Sequence, residues 1–72
     1  MKLKQRWIEG LGKHGTNKKV DEFLLDVIAV CKKHKMSLGH EDGGGCFIVG
    51  KRDEFSDEWL MEAYDYTTKK EN

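Results

Sequence analysis

The chain has 72 residues, 38% of them hydrophobic and 36% charged, with 13 basic and 13 acidic side chains, 8 glycines, no proline and 2 cysteines. That length allows one small domain, 1–72, and excludes a multi-domain enzyme, while the composition is too polar for a membrane span and too apolar for a disordered chain. At this size folding buries only about 60% of the surface that the unfolded chain exposes, so stability is marginal, and self-association as a homodimer or a bound partner would make up the deficit.

The opening MKLKQRWIEG lacks the apolar run of about 7 to 15 residues that a secretory signal needs. Two cysteines, Cys31 and Cys46, are too sparse for a disulfide-stapled scaffold. The expectation is a cytoplasmic protein with reduced thiols. The net charge of zero hides a polarity: residues 1–19 sum to +5 and residues 36–72 to −5. Such asymmetry concerns partners and association rather than fold.

In chain order, Leu3, Trp7 and Leu11 recur at four-residue spacing, which predicts a short N-terminal helix stopped by Gly10 and Gly12. Residues 1–16 then form a basic short helix and a glycine-rich loop. Val20, Phe23, Leu24, Val27, Ile28 and Cys31 make one continuous stripe at helical period, predicting a helix over about 18–35 capped by Thr16 or Asn17. Ser37 to Asp42 and Cys46 to Lys51 flank a glycine cluster and predict a β-hairpin around a Gly43-Gly44 turn, with His40 opposite Phe47 and Leu38 opposite Val49. In that register Leu38 and Phe47 face the helices, whereas Ile48 points away. The last helix is expected to start at an N-cap Ser56, with Phe55 and Leu60 as a hydrophobic staple and Leu60, Ala63 and Tyr64 as the buried face, flanked by Trp59 and Tyr66.

Together these elements predict an α+β domain in the order helix, helix, β-hairpin, helix, its two-stranded antiparallel sheet packed on the helices. Residues 17–68 form the compact core and 69–72 a polar tail.

Cys31, His34, His40 and Cys46 are potential metal ligands, but C-x2-H followed by H-x5-C lacks the paired spacing of zinc modules, and Cys31 already belongs to the apolar stripe. The expectation is a chain that folds without metal or cofactor. His40-Glu41-Asp42 beside three glycines could suggest acid–base chemistry, yet strand alternation sends Glu41 to the opposite face from its neighbours, so no catalytic residue is assigned.

Two charged surfaces remain. Glu58, Glu62 and Asp65 fall at i, i+4 and i+7, with Asp53 and Glu54 at the start of the same segment, and form an acidic stripe suited to a basic groove on a partner protein. The alternative is nucleic-acid binding through Lys2, Lys4 and Arg6, with Trp7 available for stacking.

Ser37, His40, Glu41, Asp42, Gly45, Phe47 and Val49, followed by Trp59 and Leu60 in an acidic helix, resemble a group of small uncharacterised bacteriophage proteins with an S-x-x-H-E-D-x-x-G-x-F-x-V segment. The likeness covers Cys31 to Thr67, about half the chain. It implies a phage-type, non-enzymatic binding protein that modulates or inhibits a host macromolecule, a defence nuclease among the candidates, in the host cytoplasm. It brings no catalytic residues.

Overall fold

A computed structural model of the chain describes residues 2–41 and 43–68; the 69–72 tail and Asp42 lie outside them. The order is β1 (Arg6–Ile8), β2 (Lys13–Gly15), α1 (Lys18–His34), β3 (Met36–His40), β4 (Phe47–Lys51) and α2 (Glu54–Met61). The fold is α+β, with two helices and two separate two-stranded antiparallel sheets.

The N-terminus is a hairpin and not the expected helix. Trp7 pairs with His14 across it, their rings meeting edge to face at 5.6 Å, and the flanking pairs are Arg6 with Gly15 and Ile8 with Lys13. The four-residue spacing of Leu3, Trp7 and Leu11 is overridden by alternation, because Arg6 and Ile8 point inward while Leu11 sits exposed in the turn. Gly12 closes that turn at φ +65, a backbone that a side chain strains and glycine does not. β1 also gains a parallel neighbour from the C-terminal segment, where the Asp65 amide donates to the Trp7 carbonyl and the Glu9 amide to the Asp65 carbonyl.

α1 matches its predicted span to within a residue. Asn17 caps it, its side chain accepting from the Lys19 amide, and Lys35 ends it in the left-handed region at φ 57. The apolar stripe divides into two. Leu24 and Ile28 are buried with Asp21, whereas Phe23, Val27 and Cys31 border the groove between α1 and the second hairpin together with the exposed Val30, which lies outside the stripe.

The β3–β4 register is the expected one: His40 faces Phe47 and Leu38 faces Val49. The connecting loop is longer than two residues, although the Glu41 amide still donates to the Cys46 carbonyl. β3 lies against both helices, and β4 packs on β3 alone. Phe47 is therefore 74% exposed, contrary to its expected burial on the helices.

α2 begins three residues before the position predicted. Asp53 is the N-cap and accepts from the Phe55 amide, which places Phe55 and Ser56 inside the first turn and removes the Phe55/Leu60 staple. The helix ends at Met61, so residues 62–67 are free to turn back toward β1, leaving Tyr64 exposed. Ser37 locks α2 to β3, because its hydroxyl accepts from the Asp53 amide at 2.5 Å and donates to the Asp53 carbonyl at 3.2 Å.

Among the described residues the buried apolar side chains are Ile8, Leu24 and Ile28. The molecule is a plate of 35 × 34 × 17 Å with a radius of gyration of 13.2 Å, against about 11 Å for a compact domain of this length.

Candidate binding surface

The centre of the molecule holds charge. Arg6, Asp21 and Asp65 are 2%, 2% and 1% exposed. The Arg6 guanidinium donates to Asp21 Oδ1 at 2.7 Å and to the carbonyls of Met61 at 3.0 Å and Ala63 at 2.6 Å. Asp21 Oδ2 accepts from the Lys4 amide at 2.8 Å, and that bond is the main reason its carboxyl is held below the ordinary value, with Arg6 adding to the effect. Asp65 accepts from the Thr67 hydroxyl and amide and from the Asn17 side chain, and these bonds, the hydroxyl first, lower its pKa despite burial.

This network ties β1, the start of α1 and the C-terminal segment together, and it overturns two placements. Asp65 is not on an exposed acidic stripe: α2 has ended before it, and its carboxylate faces inward. Arg6 is not a free cation for phosphate, since its guanidinium is spent on Asp21 and on two backbone carbonyls. Trp7 is half-buried between His14 and Glu9, to which its indole donates at 3.3 Å. Lys4 pairs with Glu62 at 2.6 Å, and Lys2 stays exposed. The opposed charges of the two halves of the chain thus neutralise one another in part within the fold.

The remaining acids flank an apolar surface. Asp53, Glu54 and Glu58 are exposed on α2, and Asp57 is drawn back by an ion pair with Arg52. Phe55 and Trp59, one turn apart on the same helix, are 72% and 63% exposed. They border a cleft of about 330 Å³ with His40 and Ile48 of the hairpin, and Trp59 also faces Phe47 and Leu38 across a smaller depression. His40 and Phe47 meet edge to face at 6.0 Å. The surface is a cluster of aromatic rings with carboxylates on one side.

The candidate metal ligands are not gathered: among the described residues no three His, Cys, Asp or Glu side chains converge on one point. Cys31 and His34 line the groove beside α1, and Cys46 is exposed in the hairpin loop. Glu41 is exposed, and Asp42 of the His40-Glu41-Asp42 run lies outside the described residues.

Comparisons with protein-family models, curated proteins and solved structures find no match. No helix of the described residues is long and apolar enough to cross a membrane.

The sequence pattern predicts Phe47 on the helix-packed face, Phe55 in a staple with Leu60 and Trp59 beside the buried face of the last helix, and all three are exposed. The signal that could have placed Phe55 outside is Asp53-x-Phe55, where an acid caps a helix two residues before the ring and so pulls Phe55 into the exposed first turn.

Proposed function

We propose that the chain is a non-enzymatic, phage-type binding protein that modulates or inhibits a host protein, and that α2 presents the contact surface. The observation that carries this reading is the exposure of Phe55 and Trp59 beside Glu54 and Glu58. Large aromatic rings in shallow depressions dominate binding energy at protein interfaces, whereas charges at the rim mainly raise the association rate. A partner that fits has an apolar pocket bordered by lysine or arginine. Of the expected acidic stripe, Glu54, Glu58 and Asp53 remain available and Glu62 is shared with Lys4, so the aromatic rings take the central part. The bacteriophage resemblance supports a host protein as the target. The nucleic-acid reading loses Arg6 and half of Trp7 to internal contacts and is not carried further.

The test is affinity capture from a nuclease-treated bacterial lysate, followed by binding measurements on the captured protein. Trp59→Ala should weaken binding about 30-fold or more with the circular dichroism unchanged. Reversing Glu54 and Glu58 to Lys should slow association at low salt and leave dissociation nearly unaltered. Binding that survives Trp59→Ala, or that disappears with nuclease, refutes the proposal.

A further inference from the structure

β4 carries an unused hydrogen-bonding edge. The bond from the Glu41 amide to the Cys46 carbonyl sets the alternation along the hairpin, so Cys46, Ile48 and Gly50 turn their backbone groups toward β3. Phe47, Val49 and Lys51 then direct theirs outward. The same alternation holds on β3, where the outward carbonyl of Met36 accepts from Arg52. On β4 the outward groups meet no strand among the described residues, because the sheet contains β3 and β4 alone.

A two-stranded sheet is marginal, and an apolar, proline-free edge is a template for a further strand. Three observations choose the occupant. First, the outward residues are self-complementary: placed antiparallel about a twofold axis at Val49, Phe47 faces Lys51 of a second copy, Val49 faces Val49, and every outward amide and carbonyl finds its partner. Second, the accessible surface is 5942 Å² for a chain of 8.3 kDa, where a folded monomer of that mass exposes about 4,600 Å². The excess is about 1,300 Å², enough to supply the roughly 800 Å² that each partner buries in a stable interface. Third, the chain has no net charge, so copies do not repel at long range.

We propose that β4 is the self-association edge of this protein, and that two copies join β4 to β4 into a continuous four-stranded sheet, β3-β4-β4-β3. Val49 is 68% exposed and stands at the mouth of a groove of about 410 Å³ between α1 and the hairpin, lined by Phe23, Val27, Val30 and Leu38. Phe47 and Val49 share one face of the strand, so the second copy extends the floor of this groove with the same apolar side chains. The interface does not use Phe55 or Trp59, although Phe47 borders both it and the depression beside Trp59.

Light scattering across a range of concentrations should give twice the chain mass, falling toward 8.3 kDa on dilution. Amide exchange by NMR supplies the position: in the associated form the amides of Phe47, Val49 and Lys51 should exchange about ten-fold or more slowly than in the diluted protein. Val49→Lys sets two like charges face to face at the axis and should yield a folded monomer, since the side chain is exposed in the single chain. The exchange measurement on the unaltered protein stands whether or not that variant folds. A single-chain mass at all concentrations up to about 1 mM overturns the proposal, that being the weakest affinity of interest. So does a dimer whose three amides exchange at solvent rates, or one that a folded Val49→Lys variant still forms.

Discussion

Replacing Asp21 with Ala removes the carboxylate that holds both the Arg6 guanidinium and the Lys4 amide. The Arg6 side chain is 0% exposed and that of Asp21 2%, so the loss leaves a buried cation without its counter-charge and one backbone amide without an acceptor. Breaking a buried pair from one side costs about 3–5 kcal/mol. A domain of this length has a total stability of about 4–10 kcal/mol, so the variant should be largely unfolded or lose at least about a third of its resistance to urea. The assay is urea unfolding followed by circular dichroism at fixed protein concentration, because self-association would add its own stabilisation. Arg6→Met with Asp21→Leu removes both charges together and should cost less than Asp21→Ala alone, though not nothing, since the carbonyls of Met61 and Ala63 lose their donor. A loss below about 1 kcal/mol for Asp21→Ala would mean that water reaches the pair and that the network is not what joins β1 to α1.

Acid should unfold the protein through the same residues: Asp21 and Asp65 both titrate below 3.8 in the fold, so their stabilisation is complete above that value and is lost as pH falls through their lowered pKa values. Melting temperatures taken from pH 7 down to 2 should drop below about pH 4, and Asp65→Asn should flatten that drop; an unchanged slope in the variant contradicts the assignment. In the hairpin, Leu38→Asp should destabilise by about 2 kcal/mol or more, because it puts a charge where β3 meets both helices, whereas Phe47→Asp should change the single chain by about 0.5 kcal/mol at most. Gly10→Ala places a methyl group under 3 Å from the Thr68 carbonyl and should cost about 1–3 kcal/mol, seen as an earlier urea midpoint. Lys35→Gly relieves the left-handed backbone at φ 57 and should stabilise by about 0.5–1 kcal/mol in the same assay.

What was legible in the sequence followed from local chemistry that tertiary structure did not oppose. The span of α1 was readable because its apolar period, its Asn17 cap and the basic last turn all agree. The β3–β4 register was readable because the pairing positions are symmetric about the glycine cluster, whatever the length of the turn. The N-terminal hairpin was not, because three residues at helical spacing outweighed the alternation of Arg6, Trp7 and Ile8. The partners that make this segment a strand, His14 on one side and Asp65 on the other, are 7 and 58 residues away from Trp7. Asp65 was misplaced for the same reason: its face on a helix could be computed, but the end of α2 at Met61 could not. The aromatic surface was hidden by a default that assigns large rings to a core, which this chain is too thin to provide.

Polar and apolar residues exchange their usual places here, and that exchange links stability to binding. A charged pair in the interior fixes geometry but adds little net stability, since desolvation offsets most of its attraction. The Nε of Arg6 has no partner among the described residues, which lowers the gain further. Meanwhile Phe23, Val30, Phe47, Ile48, Val49, Phe55 and Trp59 remain on the surface, where their burial contributes nothing until something covers them. A plate 17 Å thick accommodates about one layer of helix against one of sheet, so these side chains have no interior to enter within a single copy. Contacts made from outside are then the main source of apolar burial left to the protein, and the polar network keeps the surface in one shape before they form. In the proposed assemblies the work is divided between two elements: β4 would offer its outward backbone groups to a second copy, and α2 its rings and carboxylates to the proposed host protein.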